Sequence, residues 1–278
     1  MHRRKKSILD LIAETIFLIL KGLWYMLKIS VPIILMLLTS IFYAFVELVH
    51  FIWNIWGYNQ SEYRNITNNS WWNTFADKGR RGEYLIYRHL REKNANTKWL
   101  FNVYIPRGDG RTTEIDVLMI HQSGVYVFES KNYTGWIYGS SKRENWTQCI
   151  KPSEEAKTIK YKFFNPIMQN NLHVKHLEHF IDSKIHKHIY PVVVFGDKCV
   201  LKNIELDDYS QVVVKRQDIK RFFKSQFKNQ VIDSQMINEI YDSLYQYTQI
   251  SEQMKKKHIE DIHNAKADKT SNINKDHI

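Results

Sequence analysis

From Ile29 to Val46 the chain runs eighteen residues without a charge, ISVPIILMLLTSIFYAFV. After Glu47 the apolar character continues through LVHFIWNIW to Trp56. At about 1.5 Å per residue, such a run crosses a hydrocarbon core of about 30 Å. Trp53, Trp56 and Tyr58 stand where a membrane interface would place them. A secretory signal does not fit, because the run begins far from the N-terminus and no small-residue cleavage site follows it. Residues 1–56 are therefore expected to be a membrane anchor, with lipid as one partner.

The number of spans depends on the stretch before it. Between Ile8 and Lys28, the charged residues Asp10, Glu14, Lys21 and Lys28 fall on one narrow helical stripe. The segment either lies in the interface ahead of a single span or crosses with its stripe against a second helix. Glu47, His50 and Asn54 share a face too, so a hairpin of two spans that hide their polar stripes from lipid is the favoured expectation. Arg3, Arg4, Lys5 and Lys6 hold the N-terminus in the cytoplasm by the positive-inside rule. A hairpin then returns the chain to the cytoplasm, where Lys78, Arg80 and Arg81 follow. The expected location is the cell membrane, with a soluble domain facing the cytoplasm.

Residues 57–77 are rich in Asn, Ser and Thr and read as a linker. Beyond them the chain is basic, with 33 Lys and Arg against 24 Asp and Glu from Lys78 onward. That excess suits a partner carrying phosphates. Two cysteines, Cys149 and Cys199, exclude a disulfide framework, and no paired Cys/His spacing suggests a structural zinc.

Apolar spacing predicts a helix over 78–93, then strands at 99–105, 112–120 and 125–131. The last two are joined by His121-Gln122-Ser123-Gly124 as a hairpin. A helix follows over 165–181, with Pro166 at an early position, then a buried strand at 189–195. A further strand at 211–215 and helices at 216–226 and 231–248 complete a C-terminal part over 201–250 that packs on the domain. Residues 251–278 read as a polar tail. This order is an α/β arrangement, a mixed sheet flanked by helices.

Charged residues inside these strands need a reason. Val125, Val127, Glu129 and Lys131 share one face by the period of two, and Asp116 interrupts the neighbouring strand. A carboxylate in a sheet core is costly unless it is paired, hydrogen-bonded or bound to metal. Bringing Asp116 and Glu129 together across the hairpin joins two like charges, and a divalent cation resolves the conflict. Hard oxygen donors suit Mg²⁺ or Mn²⁺. Lys131 is then placed to hold the attacking water or the charge of a phosphodiester transition state. The Glu-x-Lys pattern alone is uninformative, since it recurs at Glu155–Lys157. A structural ion pair at a strand end explains the same residues.

Ordered blocks make the pattern more specific. They are Gly79-Arg80-Arg81-Gly82-Glu83, Thr113-Glu114-Ile115-Asp116, Gly124 to Tyr133 (GVYVFESKNY), Gly135-Trp136-Ile137-Tyr138-Gly139 and Trp146. Asn165-Pro166-Ile167-Met168-Gln169-Asn170, His173 and Pro191 to Phe195 complete the set. Together, over about residues 78–200, they resemble the nuclease-related domain (NERD) family, within the restriction-endonuclease-like PD-(D/E)XK superfamily. One departure is Ile115, where the superfamily name has Pro. The resemblance implies an αβββαβ core and a divalent-metal nuclease acting on DNA more than RNA. It makes Asp116 and Glu129 metal ligands and Lys131 the water-positioning base. Glu83 becomes a further ligand or water holder from the first helix, and Gln169 steadies the site from the second.

The same residues leave a second reading, a non-catalytic membrane-tethered protein that binds nucleic acid or a partner. Trp136 and Trp146 either stack on bases or pack in the core. Lys142, Arg143, Lys151, Lys157, Lys160 and Lys162 either line a phosphate-binding groove or are ordinary solvated charges. His173 and His176 share a helical face, where hydrogen bonding is favoured over a metal pair.

Overall fold

The computed structural model describes residues 7–91, 96–153, 155–208 and 210–275. The basic cluster Arg3 to Lys6 and the side chain of Asp10 lie outside the described residues. The chain divides into two compact units, Met1–Gly57 and Tyr58–Ile278.

The first unit is a helix and not a hairpin. α1 (Ile8–Asn59) is continuous over 52 residues, with Pro32 inside it. Lys28-Ile29-Ser30-Val31 carries no Gly, Asn or Asp to reverse the chain, and a single Pro removes one backbone donor without ending the helix. Leu20, Leu35, Ile41 and Phe45 leave their side chains uncovered. Thr39 and Ser40 instead return their hydroxyls to the Met36 carbonyl at 2.8 and 2.9 Å, satisfying themselves within the helix. By length and composition α1 is able to cross a bilayer.

The stretch expected as a linker is structured. α2 (Glu62–Thr67) and α3 (Trp71–Ala76) start at Ser61 and Ser70, whose side chains accept from the Arg64 and Asn73 N–H groups. The serines that suggested a loop are helix caps. Tyr58, Tyr63 and Thr74 are fully buried, and the Tyr58 hydroxyl meets Thr74 Oγ1 at 2.6 Å.

α4 (Lys78–Leu90) opens the expected α/β core, capped by Asp77. β1 (Thr97–Pro106), β2 (Thr112–His121) and β3 (Gly124–Lys131) form an antiparallel meander. α5 (Pro166–Leu177) crosses to β7 (Ile189–Phe195), which lies parallel to β3. β9 (Val212–Lys215) closes a five-stranded sheet of order β1-β2-β3-β7-β9. This is the αβββαβ order expected from the sequence.

One face of the sheet, with Trp99, Phe101, Met119 and Phe128, packs on α2, α4 and α6 (Ile219–Phe223). The other, with Leu118, Ile120, Val125 and Val127, packs on α5 and α7 (Ser234–Tyr245). α8 (Glu252–Lys275) occupies the expected tail, and its His258 is buried against Tyr104 and Thr112.

Between β3 and α5 the sequence set no element, yet a second sheet forms there. β4 (Gly135–Ser140), β5 (Asn145–Ile150) and β6 (Ile159–Phe164) are antiparallel neighbours, and β8 (Cys199–Glu205) joins β4 in parallel. Its inner face packs Ile137 and Trp146 against Ile167 of α5 and Val193 and Phe195 of β7. Asn165 fastens this sheet to α5. Its side-chain amide donates to the Ser140, Ser141 and Arg143 carbonyls, while its oxygen caps the helix.

Candidate active site at the splayed end of β2 and β3

The β2–β3 ladder stops at Val117–Phe128. Opposite Asp116 on β1, Asn102 takes a left-handed backbone with φ of 51°, and regular pairing skips it. The strands part there, which frees the Ser130 N–H. Asp116 Oδ2 accepts it at 2.8 Å. Asp116 is thus turned into the gap between β2 and β3, a local irregularity that period-two reasoning does not show.

β3 places Glu129 and Lys131 on the α5 side, as expected. Glu129 is 1% exposed. Its Oε1 lies 2.6 Å from Lys131 Nζ, and its Oε2 accepts from His173 Nε2 at 3.2 Å. A carboxylate only accepts, so His173 Nε2 carries a proton and donates it, while Nδ1 lies 2.6 Å from the Thr113 hydroxyl. Lys131 Nζ also donates to Gln169 Oε1 at 3.1 Å. Gln169 and His173 are four apart, one turn of α5, so a single helical face supplies both contacts. One turn suffices to bridge both ends of the Glu129–Lys131 pair. α5 is held over β3 by Asn170, whose amide donates to the Val127 and Val192 carbonyls at 2.8 and 3.3 Å.

Glu83 enters from α4. A Cβ at Gly82 would lie 2.5 Å from Ser130 Oγ, so glycine is what lets α4 approach β3 closely enough. Glu83 is buried, and its Oε2 accepts from the Tyr63 hydroxyl at 3.1 Å.

Burial and like charge set the electrostatics. Desolvation, then Glu129 and then Glu83, push the Asp116 carboxyl well above its ordinary range. Burial, assisted by Glu114, raises Glu83 to about 8. Burial also opposes the charged form of Glu129, but Lys131 and His173 outweigh it and hold this carboxyl below its ordinary value. Lys131 is raised: burial works against its charge, and Glu129 and Asp116 prevail. The result is one ionised, paired carboxylate beside two whose burial and like-charged neighbours disfavour ionisation.

These donors fit a divalent ion that keeps most of its water. Mg²⁺ is usually held by one or two carboxylates plus substrate phosphate, not by an all-protein cage. Asp116 Oδ1 accepts no hydrogen bond among the described residues, and Glu129 lies close enough to oppose its ionisation. Among the described residues, no three His, Cys, Asp or Glu side chains gather into a group able to hold a metal. Asp116 and Glu129 offer the two carboxylates such an ion needs, and Glu83, hydrogen-bonded to Tyr63, is the nearby third.

The structure thus brings Asp116, Glu129, Lys131 and Gln169 together, with Glu83 close enough to help raise Asp116 and hydrogen-bonded to Tyr63. Sequence reasoning did not foresee Tyr63 or Thr113, and it gave His173 no specific partner. Tyr63 sat in the supposed linker, and the roles of the other two follow from helix rotation. Trp146 is core, stacked on Phe195, whereas Trp136 is 44% exposed. Lys142 is tied to Asp207 at 3.2 Å.

Comparison with known proteins agrees with this architecture. The family model of the nuclease-related domain matches residues 78–196. An uncharacterized protein of Bacillus anthracis is 32% identical over 188 residues, covering 67% of this chain and 84% of the relative. No solved structure matches. With its restriction-endonuclease-like α/β core, this chain belongs to the nuclease-related domain family.

Proposed function

We propose that the protein is a membrane-anchored, divalent-metal-dependent nuclease that hydrolyses phosphodiester bonds, with DNA preferred over RNA. One observation carries this reading: Asp116, Glu129, Lys131 and Gln169 meet at the opening between β2 and β3. Asp116 and Glu129 are the residues that would hold Mg²⁺, or Mn²⁺ in its place. The ion, when bound, supplies Lewis acidity at the scissile phosphate and charge neutralisation between the two carboxylates. Lys131, kept charged by its two acidic neighbours, is a donor. It orients the attacking water and stabilises the anionic transition state rather than taking the proton. Gln169 fixes Lys131 Nζ, and His173 fixes Glu129. Glu83 is the further water holder in this scheme.

α1 tethers the domain, which faces the cytoplasm at the cell membrane. The support is the apolar length of α1 and the basic residues Lys78, Arg80 and Arg81 just beyond it.

The Glu129–Lys131 contact favours a second reading, because a closed ion pair is also what a non-catalytic binding domain would keep. The test uses the full chain in detergent, incubated with single- and double-stranded DNA and RNA in Mg²⁺, Mn²⁺ or EDTA. Metal-dependent cutting, faster on DNA and absent in EDTA, is expected. Folded protein that binds nucleic acid and cuts none of the four would favour the binding reading.

A further inference from the structure

We propose that the outer face of the four-stranded sheet is a docking surface for single-stranded nucleic acid that feeds the site. This rests on the nuclease reading above. Pairing across the sheet aligns two rows on that face. Val200, Trp136, Cys149 and Lys160 form one; Asn203, Tyr138, Thr147 and Lys162 form the next. The alternate residues Ile137 and Trp146 point into the small core, which leaves Trp136, Lys160 and Lys162 exposed on the outer side.

Trp136 presents its ring to solvent, 44% exposed. Lys202 Nζ stands 5.1 Å from its ring centroid, at the bulge that offsets Ile137 from Tyr138. Among the described residues, Lys160, Lys162 and Lys202 are in no ion pair, and all three are exposed. Glu205, paired with Ser140, is the carboxylate at the far end of the face.

An exposed aromatic with free lysines on a β-sheet offers a base a stacking plane and its phosphates a counter-charge. A duplex hides its base faces, so this chemistry selects unpaired strands. Trp136 is five residues beyond Lys131, so the chain keeps the two within at most about 18 Å of each other.

The test uses the full chain in nanodiscs of zwitterionic lipid, carrying Lys131→Met and in EDTA so that nothing is cut. Fluorescence anisotropy with labelled oligothymidylate and oligouridylate of about 15 nucleotides is compared with a duplex of equal length. Trp136→Ala should weaken both single strands about 5- to 150-fold, the loss of one stacked base, and leave the duplex unchanged. Trp136→Phe should restore most of the affinity. Lys160→Gln with Lys162→Gln should lower the salt slope by about 1.4. Unchanged single-strand affinity in a Trp136→Ala protein with wild-type melting would overturn the proposal, as would an equal loss on the duplex. Cleavage by the unsubstituted chain is scored separately. Cutting with Trp136-independent binding sinks this surface alone, and Trp136-dependent binding without cutting sinks the nuclease reading alone.

Discussion

Glu83 shows how burial turns one side chain into a pH-dependent element. Its carboxyl is raised from 4.5 to about 8, so the folded protein holds a proton there that the unfolded chain has released. Stability from this group is therefore complete at pH below 4.5 and falls as pH rises toward 8. Glu83→Gln keeps an acceptor for Tyr63 and cannot ionise. In EDTA, urea titrations should find the variant more stable than wild type near pH 8, by about 4 kcal/mol. The gap should close near pH 5. A constant difference across that range would mean that Glu83 ionises normally. His173 makes the complementary point about legibility. Its type and helical position were visible, but its partners Glu129 and Thr113 come from two different strands and depend on how α5 is rotated.

At the scale of elements, the hairpin β2–β3 and the strand β7 were legible because each is a run of β-branched and aromatic residues bounded by turn chemistry. The second sheet was not. Its strands are short, β6 alternates lysines with aromatics that remain largely exposed, and β4 carries Gly135 and Gly139. Gly139 is there because the Trp146 ring covers it, with a Cβ at 2.1 Å from the ring, a requirement set by tertiary packing. The linker failed for a related reason: Ser61 and Ser70 have the same composition in a cap as in a coil. Helix-on-strand approach gives a test at this scale. Gly82→Ala would gain about 1 kcal/mol from helix propensity alone. Contact with Ser130 Oγ should reverse this to a net loss of about 1–3 kcal/mol. Adding Ser130→Ala should recover most of it in thermal melts, and additive effects would show that the two groups do not meet.

For the molecule as a whole, a long apolar helix was recognisable from its uncharged run, but its continuity was not. α1 is one helix of 52 residues, about 78 Å at the standard rise, where about 20 residues span a bilayer. The surplus explains why the polar stripe before Lys28 invited a hairpin. Cys149 and Cys199 are buried, so an introduced cysteine reports cleanly on topology. Gln60, exposed just past α1, is the site: Gln60→Cys, for a cytoplasmic domain, should react with an impermeant maleimide only after cells are lysed. Labelling of intact cells would put the domain outside.

In the proposed mechanism Asp116 helps hold the metal and Lys131 orients the attacking water, so the two should act as one unit in cutting nucleic acid. The most direct test measures single-turnover cleavage in Mg²⁺ by full-length wild type, Asp116→Asn, Lys131→Met and the double variant, each shown to be folded by thermal melting. Asn is isosteric with Asp, and Met keeps the aliphatic stem of Lys131. Each single substitution should lower the rate about 10²- to 10³-fold, with the double variant little slower than either alone. Cleavage at the wild-type rate in both single variants would contradict the account and move the chemistry elsewhere on the molecule.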